Sequence, residues 1–107
     1  MASKQNPAHI LLEKHLAELG LIFVPEVRFH PVRRWRFDYV VNQSLAIEID
    51  GGLWVTGQRS HAGGTGKQAD MNKRNTATMM GFRVLVFSTE DVLRGRARAF
   101  LKEHLKP

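Results

Sequence analysis

The segment 35–50, WRFDYVVNQSLAIEID, decides the fold of this chain because two β-favouring runs flank a short polar turn. Residues 35–41 and 45–50 are rich in the aromatic and β-branched side chains typical of strands. The polar turn 42–44 is short enough to join two antiparallel neighbours. The segment therefore predicts a β-hairpin, and the rest of the fold has to be arranged around it.

Three carboxylates of this hairpin are predicted to share one face. Side chains alternate along a strand, so Glu48 and Asp50 point away from the face that Leu45 presents to the core. The same alternation separates Asp38 from Phe37 on the preceding strand, and the hairpin brings Asp38 near Glu48 or Asp50. This interpretation assigns the hairpin side chains to two faces: Leu45, Ile47, Ile49, Phe37, Tyr39 and Val41 on one, and Ala46, Glu48, Asp50, Arg36, Asp38 and Val40 on the other.

Clustered carboxylates of this kind suit a divalent cation. Like charges repel, and a bound ion relieves the repulsion. Oxygen-rich ligand sets favour Mg²⁺ or Mn²⁺. The alternative is that the acids are solvated or form ion pairs with Arg33, Arg34 and Arg36.

The flanking sequence predicts helices and two further strands. A first helix starts at the N-cap Asn6 and stops at Gly20, and an edge strand with Pro25 follows. Residues 51–67 contain six glycines and predict a long mobile loop. The remaining elements are a helix over 68–80, an apolar strand over 82–87 that we expect to be central, and a last helix capped by Ser88 and Asp91. The predicted fold class is α/β, in the order α-β-β-β-α-β-α, with a mixed central sheet in which the fourth strand is parallel to its neighbour.

Composition limits the classes of protein that fit. A chain of 107 residues is expected to form one domain over 1–107. The 16 Lys and Arg against 10 Asp and Glu give a net charge of +6, which favours a nucleic-acid partner or serves solubility. The chain has no cysteine, which excludes disulfide scaffolds and thiol nucleophiles. No membrane-spanning run or signal peptide is expected, and the lack of cysteine agrees with a protein of the reducing cytoplasm.

The chain resembles the PD-(D/E)xK nuclease superfamily on several quoted stretches. These are Asp38, then Glu48-Ile49-Asp50 ten residues later, then two glycines, with the element order of the restriction-endonuclease-like core. More narrowly, RRWRFDYV, LAIEIDGGLW and QADMNKRNTATMMGFRVLVFS are similar to the very-short-patch-repair endonucleases and to small phage-encoded endonuclease-like proteins. The resemblance covers roughly residues 10–93.

The resemblance implies a role for each matched position. Asp38, Glu48 and the backbone carbonyl of Ile49 would hold the metal. The third position of the family is usually lysine and is Asp50 here, which suggests that the basic group has moved to the next helix. The residues implied for this group are Lys73 first and Lys67 second, whereas Asp50 would instead assist as a third carboxylate, with room for a second metal. His61 matches a loop histidine that acts on a proton or a phosphate oxygen, and Glu13 corresponds loosely to an acid on the first helix or is simply exposed.

A basic segment precedes the hairpin. The arginines would contact phosphates, and Trp35 or Trp54 would stack on a base. The alternative is that Trp35 packs in the core and the arginines neutralise the neighbouring acids. The residues predicted to contact DNA are Arg28, Arg33, Arg34, Trp35, Arg36 and Lys67.

Together these patterns predict a Mg²⁺- or Mn²⁺-dependent endonuclease that hydrolyses phosphodiester bonds in duplex, nicked or branched DNA, in DNA repair, recombination or a phage. Such a chain can nick as a monomer or cut both strands as a homodimer. A non-catalytic nucleic-acid-binding module on the same fold is the alternative. A protein-interaction or phage-assembly factor, with an incidental charge, is a third.

Overall fold

The structure is a computed structural model that describes residues 6–50 and 63–105, with only the backbone described for 63–67. The elements are α1 (Pro7–Glu18), β1 (Phe23–Arg28), β2 (Arg36–Val41), β3 (Leu45–Asp50), α2 (Gly63–Met79), β4 (Arg83–Ser88), α3 (Thr89–Leu93) and α4 (Arg96–His104). This order confirms the predicted α/β class. In the described part of the chain, no helix is both long and apolar enough to cross a membrane.

The four strands form one mixed sheet in the order β1-β2-β3-β4. β2 and β3 are antiparallel, with Tyr39 opposite Ile47 and Val41 opposite Leu45, so the predicted hairpin is confirmed. β4 is parallel to β3, as a crossover through α2 requires. The expectation that residues 82–87 form a central strand is wrong. β4 pairs with β3 alone in the described part of the chain, because the segments that follow it there are helical and add no strand beside it.

Two apolar clusters cover the two faces of the sheet. The first packs α1, α3 and α4 on one face, around the fully buried Leu12, Ile47 and Leu101. The second packs α2 on the other face, where Ala77 joins Phe37, Val40 and Ala46. The sheet is therefore the middle layer of a three-layer fold, and among the described helices it is α2 that lies on the face with the acidic side chains.

The helix ends explain where the chain turns. The Asn6 side chain accepts a hydrogen bond from the amide of Ala8, and Gly20 ends α1 with a positive φ of 73°. The capping box of Ser88 and Asp91 is present, and the hydrogen bond from the Ser88 amide lowers the pKa of the Asp91 carboxyl.

Two predicted helix boundaries are wrong. The last helix is two helices, because Gly95 adopts a φ of 81° that a continuous α-helix cannot contain. The crossover helix begins at Gly63, five residues before the predicted start at Gln68, so the glycine-rich stretch is partly helical. The predicted loop over residues 51–62 lies outside the described part of the chain.

Phe37 departs from the predicted alternation of side chains. It is fully buried and packs with Val40 and Ala77 in the second cluster, not with Tyr39 in the first. Its ring stacks on Phe29 with centroids 4.1 Å apart. Regular pairing of β2 with β3 ends at Tyr39, and Glu26 on β1 has a φ of 53°, so the strands are irregular here and this aromatic packing sets the direction of the ring.

Beneath α1, the buried hydroxyl of Tyr39 donates a 2.7 Å hydrogen bond to Glu13 Oε2 and lies 3.2 Å from His9 Nδ1. Glu13 is therefore half-buried and not exposed. Burial, and then the hydrogen bond to Glu13, raise the pKa of Tyr39 far above its usual range.

Replacing Tyr39 with phenylalanine is expected to lower the free energy of unfolding by about 1–2 kcal/mol, because a half-buried carboxylate loses a donor. Since the pKa of Tyr39 is raised in the folded state, its stabilising effect is complete below the unfolded value near 10 and is lost as the pH rises above that value. Urea unfolding of both proteins at pH 7–11 measures this. The difference between them should shrink above about pH 10, and a constant difference would contradict the assignment.

Candidate active site

A polar cleft opens between the end of β3 and the middle of α2. It lies where regular pairing of β2 with β3 stops, and residues of α2 line it on the other side. The residues that line it are Asp38, Glu48, Ile49, Asp50, Asp70, Lys73, Arg74 and Val86. This cleft thus brings together the four motif positions Asp38, Glu48, Ile49 and Asp50 with Lys73 of the helix.

Asp38 is fixed in this cleft by the neighbouring strand. Its Oδ2 accepts a 2.8 Å hydrogen bond from the backbone amide of Ile49. The register of the hairpin would next pair Asp38 with Glu48, but the ladder has ended, and the carboxylate itself bridges the two strands. The bond holds Asp38 beside the carboxyl end of β3.

Glu48 and Lys73 form an ion pair at the centre of the cleft. The Lys73 ammonium donates a hydrogen bond to Glu48 Oε2 and lies 5.2 Å from the centroid of the Phe37 ring. Only 16% of the Lys73 side chain and 22% of the Glu48 side chain are exposed. The packing of Phe37 against α2 therefore gives the lysine an aromatic face on one side and a carboxylate on the other.

The cleft carries more negative than positive charge. Four carboxylates and two cations line it, so its formal charge is −2. In the described part of the chain, no three acidic or histidine side chains converge as a ready-made metal cage. Mg²⁺, however, is often held by one or two carboxylates with water and substrate phosphate. Asp38 and Glu48, with the Ile49 carbonyl and Asp50 beside them, are oxygen donors that fit such an ion.

The predicted basic segment lies at the same end of the sheet as the cleft. β1 and β3 run in one direction and β2 in the other, so Arg28, Arg36 and Asp50 lie at the same end of the sheet. Arg34 is exposed, and Arg36 lies 3.8 Å from Glu26.

Trp35 is half-buried and makes three aromatic or cationic contacts. Its ring lies 6.1 Å from Phe29 and 5.3 Å from His30, and the Arg33 guanidinium lies over it at 5.2 Å. His30 Nδ1 accepts hydrogen bonds from the amides of Val32 and Arg33, which shapes the loop. The tryptophan thus packs as a platform for the arginine loop.

The described lining of the cleft does not include four other residues that the sequence analysis singled out. His61 and Trp54 are outside the described residues, and Lys67 belongs to α2, where only its backbone is described. Glu13 contacts Tyr39 on the face covered by α1, away from the cleft. Sequence reasoning did not assign roles to Asp70 and Arg74, although both follow from the helical spacing that places residues 70, 73 and 74 on adjacent positions of one helical face.

The fold is similar to that of a known nuclease domain. The catalytic domain of the homing endonuclease I-Bth0305I superposes with a TM-score of 0.58 over 95% of this chain and 100% of that domain, at 17% sequence identity. No protein-family model matches the chain, and neither does any curated protein sequence. The chain therefore has the α/β fold of an endonuclease catalytic domain.

Proposed function

We propose that this chain is a divalent-metal-dependent DNA endonuclease of the PD-(D/E)xK type. The observation that carries the proposal is the cleft, in which Asp38, Glu48 and Lys73 meet at the edge of the sheet that also bears the arginine segment. The similarity of the fold to an endonuclease catalytic domain supports it. We place the activity in DNA repair or phage DNA metabolism, following the resemblance to repair and phage endonucleases.

Asp38, Glu48 and the Ile49 carbonyl would hold Mg²⁺ or Mn²⁺, with Asp50 as a further oxygen donor. When bound, such an ion polarises a phosphate and lowers the pKa of water. The hydrogen bond from the Ile49 amide keeps Asp38 oriented towards the cleft. The formal charge of −2 is the charge that one divalent ion neutralises.

Lys73 supplies the positive charge that Asp50 does not. Its ammonium lies within the cleft, where it can orient a water molecule and donate to a phosphate oxygen. In the proposed mechanism His61 assists by donating to a phosphate oxygen or moving a proton.

The arginine segment is proposed to bind the DNA backbone beside the cleft. Arg28 and Arg34 are exposed, and within the described residues they form no ion pair, so their guanidinium groups are available to phosphates. Trp35 contributes by supporting Arg33. Lys67 is proposed to provide a further phosphate contact. Binding of this type is strongly salt-dependent and carries little sequence preference.

Incubation of the protein with supercoiled plasmid tests the proposal. We expect nicked and linear products with Mg²⁺ or Mn²⁺ and intact plasmid with excess chelator, because the divalent ion would lower the pKa of the attacking water, which the cationic side chains alone do not do. An Asp38→Asn variant purified in parallel detects contaminating nuclease, and Glu90→Gln, an exposed acid on α3, is the matched control. Equal cleavage by wild type and Asp38→Asn would disprove the proposal.

The second candidate is a nucleic-acid-binding module without catalysis. The ion pair favours it, because the Lys73 ammonium already occupies an oxygen of Glu48. This candidate predicts salt-sensitive DNA binding that does not change with Mg²⁺, and no nicking over long incubation. Metal-dependent nicking would exclude it.

A further inference from the structure

We infer that Arg74 grips a backbone phosphate of the DNA at the mouth of the cleft; this inference rests on the proposed function. Arg74 lines the cleft next to Lys73 on α2 and is exposed to solvent. Within the described residues, its guanidinium makes neither a hydrogen bond nor an ion pair. The positive charge of Arg74 is therefore not paired with any of the described carboxylates around it.

The two cations of the cleft differ in what they contact. The Lys73 ammonium is held between Glu48 and the Phe37 ring, and 16% of the side chain is exposed. Among the described residues, Arg74 has neither a carboxylate partner nor an aromatic ring beside its guanidinium. Lys73 is already paired and therefore suits a role inside the cleft, whereas the guanidinium of Arg74 suits an incoming anion.

The spacing of Asp70 and Arg74 makes the missing ion pair informative. An acid four residues before a base is the arrangement that stabilises helices. Glu90 and Arg94 use this spacing on α3 and meet at 3.1 Å. Asp70 and Arg74 have the same order and spacing but do not pair, although both line the cleft. The N–H donors of the Arg74 guanidinium are therefore available to another acceptor.

A phosphodiester is the acceptor that this geometry favours. Guanidinium is planar, stays charged at all working pH values and matches two phosphate oxygens at once. Without Arg74 the four carboxylates and Lys73 would leave the cleft with a formal charge of −3, which repels a polyanion, so the guanidinium at its mouth favours the approach of a phosphate. Arg74 lines the same cleft as Asp50, and Asp50 lies at the end of the sheet that also carries Arg28 and Arg36.

Fluorescence anisotropy with a labelled 20-base-pair duplex, in chelator to prevent cleavage, tests this role over a range of salt concentrations. Arg74→Gln is expected to weaken binding about tenfold and to lower the slope of log K against log salt by about 0.9, the value of one phosphate contact. Arg74→Lys should keep the slope and recover only part of the affinity, because it keeps the charge and loses the planar fork.

Arg83→Gln is the matched control. Arg83 is also exposed and also forms no ion pair in the described part of the chain, but it begins β4 at the opposite end of the sheet. Neither its affinity nor its salt slope should change. If Arg74→Gln keeps the DNA affinity and the salt slope of wild type, the inference about Arg74 is wrong but the proposed function stands. The same holds if Arg83→Gln loses as much affinity and slope as Arg74→Gln. A wild-type protein that fails to bind DNA at low salt overturns the proposed function together with it.

Discussion

Replacing Glu48 with glutamine is expected to slow single-turnover cleavage of plasmid DNA by about 10²–10³-fold, because an oxygen donor of the cleft loses its charge. Glutamine has nearly the same shape and can still accept the hydrogen bond from Lys73, which the carboxylate accepts in the native protein. The fold should therefore survive, and the loss should lie in the chemical step.

The matched control is Glu90→Gln, in which the same change is made on the exposed face of α3, where Glu90 pairs with Arg94. It should cleave like wild type. Affinity of Glu48→Gln for DNA in chelator should be equal to or tighter than that of wild type, since a negative charge has left the cleft. A Glu48→Gln protein that keeps more than about a third of the rate would remove Glu48 from the mechanism.

The parts of the fold that follow from local patterns were predictable from the sequence. Turn residues and alternation specify the hairpin, and Asn6, Gly20 and Ser88 specify helix ends through hydrogen bonds within a few residues. The position of β4 at the edge of the described sheet was not predictable in this way. An apolar segment has the same sequence pattern whether a further strand pairs with it or helices pack beside it.

Long-range packing explains the direction of Phe37. Its ring leaves the alternating pattern because Phe29 and Phe82 offer it an aromatic environment under α2. These partners are distant from it in the alternation pattern of a single strand, which therefore does not contain the information. The early start of α2 at Gly63 runs against helix propensity, since each glycine costs about 1 kcal/mol relative to alanine, and propensity therefore predicted a later start.

The candidate site divides in the same way. Alternation on the hairpin predicted that Asp38 and Glu48 share one face, and the resemblance to nucleases implied Lys73 on the next helix; all three line one cleft. Helical spacing places Arg74 next to Lys73 on one helical face, but that spacing alone did not indicate a function for it. A single arginine on a polar helix is most often solvated, and only the missing pair with Asp70 in three dimensions sets it apart.

Replacing Lys73 with methionine is expected to lower the cleavage rate by about 10²–10⁴-fold, the range of a positioned proton-transfer group. Methionine keeps most of the apolar length that lies along the Phe37 ring but removes the ammonium. Because Glu48 then has no donor, the same variant should lose about 1 kcal/mol of stability without metal. Single-turnover cleavage and urea unfolding measure the two effects.

Metal affinity separates the two candidate functions in this variant. The Lys73 ammonium and a divalent ion compete for the same Glu48 oxygens, so Lys73→Met should bind Mn²⁺ more tightly than wild type in electron paramagnetic resonance titrations. Lys102→Met, on the last turns of α4, is the control for loss of a surface charge and should match wild type in every readout. Tighter Mn²⁺ binding with lost cleavage identifies a lysine that acts in the chemistry at a metal site. The opposite result has two parts: Lys73→Met binds Mn²⁺ no more tightly than wild type, and wild type binds DNA without nicking it. That result would identify Glu48 and Lys73 as an ion pair that only holds α2 on the sheet.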